Sequence, residues 1–439
     1  MGEKVVIKSS DKKVLHIAAH LGGGAGKAIS GLAIGLENFF QNNIILLEQP
    51  EDYRYVHICG EHGIEVVITR DIEDMTAMVH KADYVIFSWW GHPLSVDVFK
   101  MLSATETRAF LWSHVNGLYY PYMSYDFIDM FDGAMFTSKC SYENAGWTEV
   151  ERGSIEANSC ILYGMGSFKP IETKEKATYE IVGNCRIGYS GTVNFSKMSE
   201  EFPKICRDIK AKLPNTEFFF YGKYDTDTYE SFMRYDELKS CVHFEGFVDN
   251  LEERLSELDV YCYPLNSVNF ATTENALLEA MAAGLPIVVL NNSAEKNIIS
   301  HNNNGIIADN AKMVVEAVLN ICKDRVFAER LGKNARKTTI ETYDGAVNAR
   351  VCAEYISSFE KLEKRKHDFI SLIGNSAGDN FLFFSNMTMK EYEEKAKSGE
   401  LENIFKGASK GSVKHYQRYF NDSILEQLVT GKELNSYEN

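Results

Sequence analysis

Short apolar runs that alternate with helix-length segments, in two series parted by a charged stretch, limit what this chain can fold into. The first series is residues 13–19, 43–49, 65–69, 82–90, 108–115, 134–138 and 160–164, and the second is 186–191, 216–222, 242–248, 260–265 and 287–290. Runs so short and so apolar are predicted strands buried on both faces. Strands separated by helical crossovers pair in parallel, so the chain is predicted to be α/β with two doubly wound sheets. Residues 169–183 carry Pro170 and several charges with little apolar periodicity, which makes them the predicted linker between two domains.

Size and charge narrow the function classes. The 439 residues, 45% hydrophobic and 12% aromatic, suffice for two packed cores. A net charge of −16, from 62 acids against 46 bases, argues against an unaided nucleic-acid binder, which needs clustered cations. No stretch approaches the roughly 20 apolar residues of a membrane span, and the opening Met1-Gly2-Glu3-Lys4-Val5-Val6-Ile7-Lys8 lacks a signal peptide's apolar core. The expected location is cytoplasmic, with peripheral contact at the inner face of a membrane left open. Nine scattered cysteines without a Cys-x-x-Cys pair suggest neither a disulfide framework nor a zinc site.

Chemistry is expected where strands end, because open parallel sheets bind ligands outside their carboxyl edges. The first run empties into His20-Leu21-Gly22-Gly23-Gly24-Ala25-Gly26 ahead of a predicted helix over 27–39. This is neither a P-loop, which needs Gly at Leu21 and Ser or Thr at Ala28, nor a dinucleotide fingerprint, which needs a third Gly at Lys27. It remains a glycine loop at a helix start, with Gly23 and Gly24 open to close approach by a ligand. Three further strand ends carry polar groups: Trp90 and His92, then Ser113-His114-Val115-Asn116, then Thr137-Ser138-Lys139. Tyr119, Tyr120, Tyr122 and Tyr125 form an aromatic cluster, read as a packed loop or as a platform for a sugar.

The second series is richer. Its first run ends in Gly191-Thr192-Val193-Asn194-Phe195-Ser196-Lys197, and the run at 260–265 leads through a polar loop to a predicted helix over 274–283. Thr272 or Thr273 is the predicted N-cap, and Gly284 with Pro286 the stop. The backbone amides of Asn275, Ala276 and Leu277 then form an anion-binding cup suited to a diphosphate, and Glu279, further along the helix, is placed to reach a ribose hydroxyl. Asp225-Thr226-Asp227 has the spacing of a metal-binding Asp-x-Asp motif but is read as a solvated loop, so no metal is expected.

Leu278-Glu279-Ala280-Met281-Ala282-Ala283-Gly284-Leu285-Pro286 resembles the signature of retaining glycosyltransferases of family 4, which have the GT-B fold. The resemblance spans about residues 13–365. It implies two Rossmann-like domains facing a cleft, an acceptor domain over 1–168 and a nucleotide-sugar domain over 184–345, the latter beginning after the linker at 169–183. Residues 346–439 would form a crossover helix at 351–365 and a helical C-terminal extension, with helices at 389–397 and 423–430 and a docking patch at Phe381-Leu382-Phe383-Phe384. That tail would add helices to the first domain, shape the acceptor site or bind a partner.

By the same resemblance His114, Lys197 and Glu274 would be catalytic. Lys197 would stabilise the departing diphosphate, His114 would orient the donor sugar and Glu274 would contact it. Gly23, Gly24, Gly191, Thr192, Phe247, Asn275, Ala276, Leu277 and Glu279 would bind the donor, with the base laid against the backbone near Phe247. The implied reaction is metal-independent transfer of a hexose from a nucleotide sugar, foremost a UDP-sugar, to a hydroxyl of a glycan, lipid-linked or protein acceptor, with retention and without a cofactor. Two departures stand out. Thr192 replaces the family's Arg, and the acidic pair spaced Glu-x7-Glu is broken, because the position eight before Glu279 is Ala271. A catalytically silent GT-B partner of another glycosyltransferase and a nucleotide-sugar epimerase are the alternative readings.

Overall fold

The computed structural model describes residues 11–165, 185–269, 271–401, 405 and 410–430. The predicted linker at 169–183 lies outside these residues. The chain divides into two compact units, one of Met1–Gly166 with Asn348–Asn439 and the other of Ser167–Val347.

The first unit is built on seven parallel strands: β1 (Lys13–Ala18), β2 (Gln41–Leu46), β3 (Glu65–Ile68), β4 (Tyr84–Trp89), β5 (Ala109–Ser113), β6 (Gly133–Phe136) and β7 (Ser159–Ile161). Their order is β3-β2-β1-β4-β5-β6-β7. Every predicted run of the first series is a strand, and β4, β5 and β6 are buried along their whole length, as an interior parallel strand requires. The order reverses between β1 and β4, so the loops after these two strands part and leave a crevice at their carboxyl ends.

The helix after β1 starts earlier than predicted. It runs Gly23–Gly35, so the glycines form its first turn rather than a loop ahead of it. The N–H of Gly26 closes that turn on the carbonyl of Gly22 at 3.0 Å. A Cβ at Gly26 would lie 2.5 Å from the Leu21 carbonyl oxygen, and Gly23 has φ +56°, so the geometry demands glycine at both, at Gly26 for space and at Gly23 for its backbone.

The C-terminal segment belongs to this unit. The helices Met389–Ser398 and Ser423–Thr430 stand where they are expected, and Phe369–Ile373, Ala377–Ser385 and Val413–Tyr416 are further helices. The expected docking patch lies on the Ala377–Ser385 helix, where Phe381 and Phe384 are buried and Leu382 and Phe383 are partly buried. Phe384 lies 5.0 Å from the Trp89 ring and Phe369 4.9 Å from that of Phe99, so the tail completes the core beside β4. Each such aromatic contributes about 1.5–3 kcal/mol of burial. The helix predicted at 351–365 is instead Gly345–Ser357. Beyond its end the Arg108 guanidinium takes the carbonyls of Glu360 and Leu362, and Arg365 pairs with Asp132 at 2.8 Å.

The second unit holds six parallel strands: β8 (Arg186–Ser190), β9 (Glu217–Tyr221), β10 (Val242–Gly246), β11 (Val260–Tyr263), β12 (Ile287–Leu290) and β13 (Ile306–Ala308). Their order, β10-β9-β8-β11-β12-β13, reverses between β8 and β11. Asp225 begins a helix rather than sitting in a loop: its carboxylate caps Thr226–Met233 by accepting from the Thr228 N–H at 2.8 Å. No helix of the described residues is long and apolar enough to cross a membrane.

Candidate functional site

The reversal between β8 and β11 brings the two most informative loops of the second unit together. Gly191 ends β8 with φ +119°, and Gly222 ends β9 with φ +140°. A Cβ on Gly222 would fall 1.8 Å from the Gly191 carbonyl oxygen, so the two turns pack backbone to backbone. A Cβ on Gly191 would stand 3.9 Å from Ala276 Cβ, 3.9 Å from Lys197 Nζ and 4.0 Å from the Tyr263 hydroxyl. The loop after β8, the end of β11 and the first turn of the following helix therefore meet at one spot.

That helix is Asn275–Ala282, one residue shorter at each end than predicted. Its N-cap is Glu274 rather than Thr272 or Thr273, with φ −82° and ψ 93°, and the Glu274 side chain makes no capping bond. It turns instead to Lys197, whose Nζ lies 2.8 Å from Oε2, and the Tyr263 hydroxyl donates to the same oxygen at 2.6 Å. Glu274 is only 8% exposed. Burial pushes its carboxyl up, but the Lys197 ammonium and the bonds from Lys197 and Tyr263 more than offset this, so the pKa falls below the ordinary value and the group is ionised.

Beneath the pair lies a stack of tyrosines. The Tyr263 ring is 5.1 Å from Tyr189 and 5.5 Å from Tyr261, and Lys197 Nζ sits 5.8 Å from its centroid. The Tyr261 hydroxyl pairs with Ser190 Oγ at 2.8 Å and Tyr189 donates to the Thr192 carbonyl at 3.0 Å, which holds the floor rigid.

A second acid lies nearby in the short helix Ser293–Lys296. Glu295 is fully buried, its Oε1 accepts from Asn292 Nδ2 at 2.8 Å, and its Oε2 has no partner among the described residues. Burial pushes its carboxyl up to about 8, and the negative charge of Glu274 adds to the rise. One acid of the two is thus ionised and the other protonated at neutral pH.

The other predicted residues of this unit are placed as follows. Asn275, Ala276 and Leu277 form the first turn of the Asn275–Ala282 helix, and Glu279 lies one turn further, partly buried and within electrostatic reach of Tyr261. Thr192 is exposed. Phe247 follows Gly246, whose φ is +67°, and is 80% exposed.

In the first unit Gly23 and Gly24 are exposed in the first turn of their helix. His114 follows β5, with its ring 4.4 Å from Trp112 and 5.8 Å from Trp90. Its Nε2 is buried without a partner among the described residues, and burial pushes its pKa down to about 3, so the ring is neutral. Tyr120 is buried and donates to the Gly411 carbonyl at 2.5 Å, the packed-loop reading of the tyrosine cluster at that residue.

Sequence reasoning missed Tyr263 and Glu295. The alternation Tyr261-x-Tyr263 on one strand face signalled the stack, whereas nothing in the sequence signals that Glu295 is buried.

Residues 184–324 match the family of glycosyl transferases group 1. No curated protein matches the chain in sequence. Among solved structures, HepE of Anabaena in complex with UDP and glucose is similar over 79% of this chain and 100% of its own, with a TM-score of 0.63 and 14% identity. Sucrose-phosphate synthase of Thermosynechococcus elongatus is similar over 79% of this chain and 99% of its own, with a TM-score of 0.60 and 14% identity. The fold is GT-B. The family match falls on the GT-B unit that carries Lys197 and Glu274.

Proposed function

We propose that the protein is a retaining GT-B glycosyltransferase that moves a hexose from a nucleotide sugar, foremost a UDP-sugar, to an acceptor hydroxyl without a metal. The observation that carries this reading is the Lys197–Glu274 pair, 2.8 Å across, set at the first turn of the Asn275–Ala282 helix where the second sheet reverses. A diphosphate leaving group gains negative charge as the glycosidic bond breaks. An ammonium and a helix N-terminus at that point stabilise the transition state more than the bound donor, which is what lowers a barrier.

In this reading Lys197 and the amides of Asn275, Ala276 and Leu277 hold the diphosphate, Gly191 and Thr192 border it, and Glu279 takes the ribose. Phe247 lies against the base, His114 orients the sugar, and Gly23 and Gly24 admit the substrates to the backbone. Glu274 fixes Lys197 and contacts the sugar in place of the acid missing at Ala271. HepE and the Staphylococcus aureus TarM variant crystallised with fondaparinux, α-GlcNAc-glycerol and UDP both carry UDP on this fold, which supports a uridine donor here. Incubation with UDP-glucose, UDP-galactose and UDP-N-acetylglucosamine, read as UDP release with the anomeric configuration of the product followed by NMR, tests the proposal. Release from at least one donor, and a retained anomer, are expected. Binding without turnover of any of them, or an inverted product, overturns it.

A further inference from the structure

The reversal point of the first sheet carries a polar cluster of its own. His20, Glu48 and His92 follow β1, β2 and β4, and their ligand atoms all lie within 4.8 Å of one another. His92 Nε2 is 3.4 Å from Glu48 Oε1 and His20 Nε2 is 4.0 Å from it. The C-terminal segment closes over them: the Tyr419 hydroxyl donates to Glu48 Oε2 at 2.6 Å, and the His415 ring lies 5.1 Å from that of His92.

Such a set resembles a metal site, but its proton arrangement opposes one. The N–H of Gly22 donates to His20 Nδ1 at 3.0 Å, that of Leu94 to His92 Nδ1 at 3.3 Å, and that of Gly411 to His415 Nδ1 at 2.9 Å. An Nδ1 that accepts leaves the ring proton on Nε2, so the nitrogens that face Glu48 are donors and not lone pairs for a metal. Burial and the neighbouring His92 lower the pKa of His20, and burial brings His415 down to about 4, which keeps both rings neutral. The bonds from His92 and Tyr419 overcome the effect of burial on Glu48 and hold it near 2, so it is a carboxylate.

What the cluster offers is an acceptor beside a donor. Glu48 Oε1 and His20 Nε2–H, 4.0 Å apart, are too far to satisfy each other, both side chains are partly exposed, and an oxygen about 2.8 Å from each would bridge them. A hydroxyl both donates and accepts, and Trp90, partly exposed with its ring 5.4 Å from His20, adds the aromatic surface on which sugar rings pack. We propose that the crevice at the reversal of the first sheet, completed by His415 and Tyr419 of the C-terminal segment, binds a hydroxyl group of a carbohydrate acceptor between Glu48 and His20. The proposal rests on the glycosyltransferase reading and adds to it the acceptor class and the tail's part in recognising it.

Saturation-transfer NMR with methyl α-glucopyranoside, methyl α-galactopyranoside and N-acetylglucosamine on the full chain tests it, with UDP binding measured on the same sample by calorimetry. At least one sugar is expected to bind. Glu48→Gln is expected to weaken that binding about 10-fold or more, and Tyr419→Phe, which leaves the carboxylate in place should Glu48→Gln fail to fold, about two- to fivefold. UDP binding without sugar binding, or sugar binding indifferent to a folded Glu48→Gln, overturns the proposal and leaves the donor reading intact. Failure to bind UDP removes both. Thermal stabilisation by Zn2+ that His92→Ala abolishes overturns it in favour of a metal site.

Discussion

Lys197→Met separates what the Lys197–Glu274 pair does for stability from what it does for chemistry. The substitution keeps the length of the side chain and removes the charge, leaving a Glu274 carboxylate that is 8% exposed with the Tyr263 hydroxyl as its remaining partner at 2.6 Å. Stranding a fully buried ion costs about 3–5 kcal/mol, and because the Lys197 side chain is 29% exposed the cost here is nearer ~1–3 kcal/mol. Glu274→Gln removes the stranded charge. The double variant is therefore expected to regain most of the lost stability, with a coupling of ~1–3 kcal/mol in urea unfolding. Activity behaves differently. UDP release is expected to fall about 100- to 1,000-fold in Lys197→Met, the loss typical of one donor aimed at developing negative charge, and Glu274→Gln is expected not to restore it. Two results refute the reasoning: a Lys197→Met turnover within threefold of wild type, or stabilities of the two single variants that simply add.

Glu295, held near 8, keeps a proton that the unfolded chain releases above about 4.5, so its contribution to stability is full below that pH and declines as pH rises towards 8. Relative to Glu295→Gln, which cannot titrate, the wild type is expected to lose ~2–3 kcal/mol between pH 5 and 7, at about 1.4 kcal/mol per pH unit; parallel urea midpoints for the two proteins at both pH values exclude it. Tyr263→Phe removes the bond to Glu274 and is expected to cost ~1–3 kcal/mol in wild type but under ~1 kcal/mol in Glu274→Gln, which a double-mutant cycle by urea unfolding checks. Gly222→Ala puts a Cβ 1.8 Å from the Gly191 carbonyl oxygen at a φ of +140° and is expected to destabilise the protein by more than ~3 kcal/mol. A wild-type melting temperature for Gly222→Ala shows that the two turns do not meet as described.

Both sheets were legible except for the three-residue β13, because buried parallel strands leave a clear mark: runs such as Ile287–Leu290 have no polar alternation to confuse them with anything else. Helix starts were less so. At Gly23 the chain enters its helix before the apolar pattern begins, because small residues let the first turn close against Leu21. The cap at Glu274 defied propensity for a different reason: Lys197 and Tyr263 hold its side chain away from the helix amides, a long-range choice that no local pattern encodes. Lys197 could be picked from its loop, but its partner could not, since Glu274 is displaced from the spacing the family signature suggests. In the tail, Phe381 and Phe384 marked a docking patch, while Tyr419 and His415 gained meaning only when the fold carried them to Glu48, over 360 residues away in sequence.

The placing of an acid beside the one lysine of the β8 loop also bears on how the proposed reaction would divide its binding energy. The chain carries a net charge of −16, and a diphosphate approaching it is repelled at long range except where local dipoles oppose that field. With Glu274 ionised 2.8 Å from Lys197, the two side chains nearly cancel, so the helix amides of Asn275–Ala282 supply most of the attraction felt by an arriving donor. As the glycosidic bond breaks, charge accumulates on the diphosphate oxygen and competes with Glu274 for the ammonium. Lys197 then contributes more to the transition state than to the bound donor. That difference, rather than tight donor binding, is what raises turnover, and it gives Glu274 a reason to face the lysine instead of capping its helix.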